Sequence, residues 1–132
     1  MVYNVKRPDG TYKKFLGRCL VAFDESEVST TSTSAETAKE FNLVVLSAID
    51  HMWDKMYVIA EGYIDTSGKT LKMDVVIDST VKTTISWTET SYTLKSDEID
   101  ISDLSDGKHL VEFKIYVTGG TGYQRLLEVW VE

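Results

Sequence analysis

The chain has 132 residues, with 21 acidic against 14 basic side chains and a net charge of −7. That length suits one domain burying roughly two-thirds of the surface its unfolded form exposes. The negative field argues against nucleic-acid binding, which draws its affinity from clustered Lys and Arg.

The N-terminal stretch Met1 to Pro8 has no apolar signal region. No segment approaches the roughly twenty apolar residues of a membrane span. The chain therefore reads as soluble, with virion and cytoplasm both open as locations. Lys6, Arg7, Lys13, Lys14 and Arg18 form its one basic concentration, a solvated edge that discourages strand-to-strand aggregation. Gln occurs only at 124 and Asn only at 4 and 42, a weak thermophile signal, since these are residues that hyperthermophile proteins avoid.

Pro8-Asp9-Gly10 punctuates a hairpin joining Val2–Lys6 to Thr11–Phe15. After Gly17 comes Cys19–Phe23, whose alternation puts Cys19 on one face with Val21 and Phe23 as a buried, inert thiol. Being alone, Cys19 forms no intrachain disulfide. The Ser/Thr-rich run that follows separates an N-terminal hairpin arm, 1–25, from a main body, 38–132, with 26–37 as the connection. Thr33 to Met56 carries two patterns. A capping box at Thr33-Ser34-Ala35-Glu36 and helical spacing of Ala38, Phe41, Val45, Ala48, Ile49 and Met52 allow a helix over 34–52, which would make the fold α+β. The β-branched run Leu43-Val44-Val45-Leu46, with Phe41, Leu43 and Val45 alternating, favours a strand.

From Lys55 onward the period is two. Met56–Ile64 is a strand, Asp65–Lys69 a turn, and Leu71, Met73, Val75 and Ile77 form the return strand of a predicted hairpin. Val81, Thr83, Ile85 and Trp87 continue the pattern, followed by Tyr92, Leu94 and an acidic loop over Ser96–Ile101. Val111, Phe113, Ile115 and Val117 alternate inward, then Gly119–Gly122 turns into Leu127, Val129 and Val131, predicting a final hairpin. About eight short strands at regular spacing predict a single all-β domain, an antiparallel β-sandwich of jelly-roll or immunoglobulin-like type.

Leu104-Ser105-Asp106-Gly107-Lys108-His109 resembles the L-x-D-G-x-H/Y corner that precedes a late strand in immunoglobulin-like, fibronectin-type and jelly-roll accessory modules. The resemblance covers 99–117. It implies that Asp106-Gly107 makes the turn and that His109 packs or hydrogen-bonds back across the corner. Such modules serve adhesion, carbohydrate binding or assembly.

Catalytic signatures are missing: only His51 and His109 exist, without metal-ligand spacing, a G-x-S-x-G elbow or a phosphate loop that opens a helix. No enzyme activity and no resident cofactor are expected. Asp97, Glu98, Asp100, Asp103 and Asp106 supply hard oxygen ligands and form the one candidate calcium site. The aromatics are the stronger lead. Trp87 shares the inward face of Ile85, whereas Tyr116, Leu126 and Trp130 alternate outward and, on neighbouring strands, would form one contact patch. Trp53 and Tyr92 are further stacking candidates. The expected role is a non-catalytic structural or assembly module, virion-associated, that works through a protein partner or self-association. A carbohydrate-binding module with an aromatic platform is the alternative.

Overall fold

The computed structural model describes residues 18–46 and 53–132, together with the backbone of two short strands at 3–6 and 12–15. Those two, β1 (Tyr3–Lys6) and β2 (Tyr12–Phe15), pair antiparallel with Tyr3 opposite Phe15 and Lys6 opposite Tyr12, as the Pro-Asp-Gly signal predicts. The side chains of the basic cluster, Arg18 excepted, lie outside the described residues.

Nine further strands follow: β3 (Cys19–Asp24), β4 (Val28–Thr30), β5 (Glu36–Val45), β6 (Lys55–Ile64), β7 (Leu71–Ile77), β8 (Thr80–Trp87), β9 (Thr93–Asp100), β10 (Gly107–Val117) and β11 (Gly122–Val131). They form two antiparallel sheets, one ordered β5-β10-β7-β8 and the other β3-β11-β6-β9, with β4 continuing the β3 edge along β11. The all-β sandwich is the predicted fold. Glu36–Val45 is a strand, so the helix over 34–52 does not form there. The β-branched Val44-Val45 pair favours the pleated surface, and 47–52 lie outside the described residues.

The core lies between the sheets. Met56, Val58, Ala60 and Ile64 face Val111, Phe113, Ile115 and Val117, with Leu71, Met73, Val75, Val129 and Val131, and all are buried. Each of these side chains other than Ala60 contributes about 1.5–3 kcal/mol relative to exposure. Trp87 is fully buried among them, as its spacing predicts.

Four expectations are corrected by the structure. Leu71–Ile77 does not return beside β6, nor does β11 return beside β10: in both cases the turn carries the chain across to the opposite sheet. The tight hairpin is β7–β8 instead, closed by Asp78 (φ 48°) and Ser79 (φ 68°) as a two-residue turn of the primed kind that matches strand twist. The stretch read as an acidic loop is mostly strand β9. Phe23 does not share a face with Cys19. A bulge at Val129/Trp130 slips the β3 register, so Cys19 and Ala22 pack on the core while Leu20 and Phe23 point outward.

A second bulge, at Gln124/Leu127, leaves strand carbonyls without ladder partners. Two buried polar side chains satisfy them. Gln124 Nε2 donates to Arg125 O (2.9 Å) and Leu126 O (2.7 Å), and Lys39 Nζ reaches across from the other sheet to Arg125 O (2.7 Å) and Ser26 O (2.8 Å). Burial holds the Lys39 ammonium below the usual lysine range, with Asp24 at 3.5 Å opposing that shift. Lys39→Met, which keeps length but removes the donor, is expected to lower stability by about 1 kcal/mol in urea titrations. An unchanged midpoint would show that Gln124 satisfies the bulge alone.

Candidate functional site

The two outward faces differ in chemistry. On the β5-β10-β7-β8 sheet, Lys72, Asp74, Glu112 and Lys114 point out, and the register interleaves their signs: Lys114 opposes both Asp74 and Thr37, and Tyr116 opposes Lys72. Tyr116 is absorbed there, its hydroxyl donating to Asp74 (3.3 Å) with the Lys72 ammonium 6.0 Å from its ring. The middle of this surface is ionic, and Val44, Val81 and Leu110 are also exposed on its strands.

On the β3-β11-β6-β9 sheet, pairing sets out rows of a different kind. Leu20, Trp130, Tyr57 and Glu98 form one row, and Phe23, Glu128, Ile59 and Ser96 the next. Beyond them lie Glu61 beside Leu94, then Tyr63 opposite Tyr123. Leu20, Phe23 and Leu94 are 46%, 51% and 57% exposed, values that mark an apolar outer surface rather than a second core. The first two rows enclose a groove of about 680 Å³, with Tyr57, Ile59 and Trp130 as its apolar floor and Arg18, Ser96, Asp97, Glu98 and Glu128 around it.

The electrostatics of this face are organised around its rings. The Arg18 guanidinium lies 4.3 Å from the Tyr57 ring centre, and both Arg18 (3.4 Å) and the Tyr57 hydroxyl (3.1 Å) meet the Glu132 carboxylate. At the far end the Arg125 guanidinium covers Tyr92 at 3.8 Å and pairs with Glu61 at 2.6 Å, which raises the Arg125 pKa. Tyr92 donates to Glu27, and burial together with that carboxylate pushes its phenol well above the usual range. Tyr63 stacks on Tyr123 at 4.7 Å and meets Tyr92 edge-on at 4.7 Å.

The expected contact patch is therefore divided. Tyr116 sits on β10 in one sheet, and Leu126 and Trp130 sit on β11 in the other, so they look out from opposite sides of the sandwich. Trp53 is buried in the core and offers no ring to solvent. The face of Tyr92 is covered by Arg125. Trp130 is brought to the groove, and Leu126 lies further along β11 beside Arg125 and Glu61. Tyr57, Arg18 and Glu128 were missed, although the odd positions of Met56–Ile64 are outward by the same alternation that makes Met56 and Val58 core.

The five carboxylates of the calcium candidate are dispersed. Asp97 points inward and accepts from Thr83, while Glu98 points outward to Lys55 at 2.7 Å, because strand neighbours face opposite sides. Asp100 caps Ser102, and Asp103 is 3.9 Å from Lys82. Among the described residues no group of three His, Cys, Asp or Glu side chains is placed to hold a metal ion. No helix among them is long and apolar enough to cross a membrane.

The sequence corner behaves as the resemblance implies. His109 is buried, with Nε2 2.6 Å from Ser105 O across the turn and Nδ1 2.5 Å from Asp78 Oδ2 on the neighbouring hairpin. Gly107 makes the turn at φ 120°.

Two antiparallel sheets closed by crossing connections define a jelly-roll β-sandwich module. Solved structures share that fold. A structure of infectious bursal disease virus, Gt strain, matches with a TM-score of 0.55 at 10% identity, over 96% of this chain and 37% of that one. A carbohydrate-binding module, CBM4, matches at 0.53 and 12% identity over 87% and 78%. The C-terminal domain of EclA, a sugar-binding protein, matches at 0.52 and 11% over 95% and 88%. No protein-family model and no curated protein matches the chain.

Proposed function

We propose that this chain is a non-catalytic module that binds a glycan along the groove on its β3-β11-β6-β9 face. One observation carries the reading. Tyr57 and Trp130 are directly opposed in register at the groove floor, with Arg18 lying over the Tyr57 ring, the Trp130 ring without such a cover, and Glu98, Glu128 and Ser96 at the rim. Sugar rings have apolar faces and hydroxyl edges, so a site for them needs flat aromatic surface with polar groups at its rim. CBM4 and the sugar-binding EclA domain use the same fold, which makes the reading compatible with the architecture, though ligand choice belongs to the site. A glycan array on the purified chain tests it. Tyr57→Ala and Trp130→Ala are each expected to weaken the best ligand roughly tenfold, about 1.4 kcal/mol, with the fold intact by circular dichroism. Binding that ignores both substitutions would overturn the groove as its seat.

Leu20 and Phe23, exposed on the edge strand β3, favour a second reading: an assembly module, virion-associated, that docks a protein or a second copy on this edge. The viral neighbour has the same fold. Light scattering separates the two, since assembly requires a dimer or larger species that Phe23→Lys dissolves, and a monomer at high concentration argues for the glycan.

A further inference from the structure

The outward tyrosines of the described residues all have ring partners, whereas Phe23 on the edge strand and Trp130 in the groove have none. Tyr57 holds Arg18 over its ring and Glu132 beside it; Tyr92 holds Arg125 with Glu61; Tyr116 holds Lys72 with Asp74. Tyr63 and Tyr123 take each other as partners. Each of the first three is an aromatic face, a cation and a carboxylate in mutual contact, an arrangement in which the ring quadrupole and the carboxylate both favour positive charge. Trp130 and Glu128 repeat the aromatic-carboxylate half of that arrangement. They are two apart on β11, so they project from the same face about 7 Å apart, within reach of one bound group. Among the described residues neither has a cation partner, and Trp130 has no ring partner. Arg18, the one cation of the described lining, is engaged with Tyr57 and Glu132.

We propose that Trp130 and Glu128 seat the ammonium group of an amino sugar, so that the groove selects glycans with free amines over neutral or acidic ones. The inference rests on the glycan reading above and names its substrate class. Charge complementarity carries it. Glu128 sits between Phe23 and Ile59 in register, an ion with an apolar residue on either side. A ligand that excludes water there without supplying a positive charge would strand the carboxylate, which opposes binding. A uronic acid would bring a like charge to Glu128 and Glu98 on a chain already at −7. An ammonium instead lets Glu128 accept a charge-assisted hydrogen bond while Trp130 covers the sugar face.

The test is calorimetric titration of the full chain with three hexamers: glucosamine, N-acetylglucosamine and galacturonate. The glucosamine hexamer is expected to bind roughly tenfold more tightly than its acetylated form, and galacturonate to give no heat. Glu128→Gln should abolish that preference, bringing the glucosamine hexamer to the affinity of its acetylated form, because the amide keeps the shape and loses the charge. Trp130→Ala should weaken both. Equal affinity for the two glucosamine forms, or a preference that survives Glu128→Gln, would overturn the amine seat and leave the glycan reading standing. No binding by any of the three, together with an empty glycan array, would overturn both. A lysine-rich peptide that binds more tightly than the glucosamine hexamer and competes at Trp130 would overturn the sugar class in favour of a protein partner.

Discussion

Gly62→Ala is expected to destabilise the fold by about 2 kcal/mol, a fall of roughly 4–8 °C in Tm, although alanine ordinarily improves a strand. The local preference runs the other way, since a glycine in a strand interior is about 0.5–1 kcal/mol worse than alanine. Packing decides the sign. A Cβ at position 62 would stand 2.8 Å from Trp87 Cδ2, 3.0 Å from Trp87 Cε2 and 3.1 Å from Leu71 Cδ2. The indole cannot swing away freely, because Nε1 donates to Thr93 O at 2.8 Å and the ring is fully buried. Overpacking of this kind typically costs about 1–3 kcal/mol, which exceeds the propensity gain. Urea unfolding followed by fluorescence measures it. In a double-mutant cycle, Trp87→Leu should recover part of the Gly62→Ala loss, because the cavity left by the indole accepts the added methyl. A stabilised Gly62→Ala protein, or strict additivity with Trp87→Leu, would mean that the ring yields without strain.

That contact marks the boundary of what the chain's local pattern reveals. Alternation of period two identifies Val58, Val111, Phe113 and Val129 as inward whatever sheet each strand joins, because the pleat alone sets the side. Which sheet a strand joins is not a local property. The turn residues at Asp65–Lys69 and Gly119–Gly122 are equally suited to a hairpin and to a crossing between layers, so two hairpins were expected where the chain arches over the core. Tyr116 and Trp130 were separated by that difference. The face of Phe23 was missed for a related reason: Val21 is an extra residue on β3 between Leu20, opposite Trp130, and Ala22, opposite Val129, so parity shifts by one, and no Gly or Pro in Leu20–Phe23 marks the irregularity. Trp53 fell to the core because large aromatics stabilise whichever side buries them. Tyr57 was readable in principle, sitting between the inward Met56 and Val58.

On the groove face Arg18 pairs with Glu132, Lys55 with Glu98 and Arg125 with Glu61, whereas Glu128 has no cation partner among the described residues. On the opposite sheet, Lys114 stands across from Asp74 and Lys72 across from Tyr116, while Glu112 faces Glu40. On the groove side, carboxylates and guanidinium groups are gathered around rings, and Glu128 is left with an apolar residue on either side. A surface with only a folding role has no need for such an ion, since an apolar or paired residue would serve the sheet as well. Under the proposed glycan reading, Glu128 is the groove residue that a bound ligand, and not the sheet, accounts for.

His109→Leu is expected to lower stability by about 2 kcal/mol at pH 5.5 and by markedly less at pH 9. The ring lies between two acceptors, Asp78 Oδ2 at Nδ1 and Ser105 O at Nε2. Only the imidazolium can donate to both, and a neutral ring must leave one of them facing a lone pair. The Asp78 carboxylate, then the Ser105 carbonyl, hold the His109 pKa above the usual histidine value, against an opposing contribution from burial. The same bond, helped by the Leu110 amide and by Lys82, holds Asp78 below the usual carboxylate range. A raised folded-state pKa gives stability that is complete below the unfolded value of about 6.5 and is lost as pH rises through the folded one. A depressed carboxylate gives stability that is present above about 3.9 and is lost as pH falls. The pair is therefore fully effective between about pH 4 and 6.5. Because Asp78 is half exposed, water screens the ion pair, which is why about 2 kcal/mol and not more is expected. Urea midpoints at pH 5.5 and 9, with a proton NMR titration of the His109 ring, check both parts. A stability difference that stays constant between the two pH values would mean that His109 is neutral in the folded protein and that the corner is held by packing.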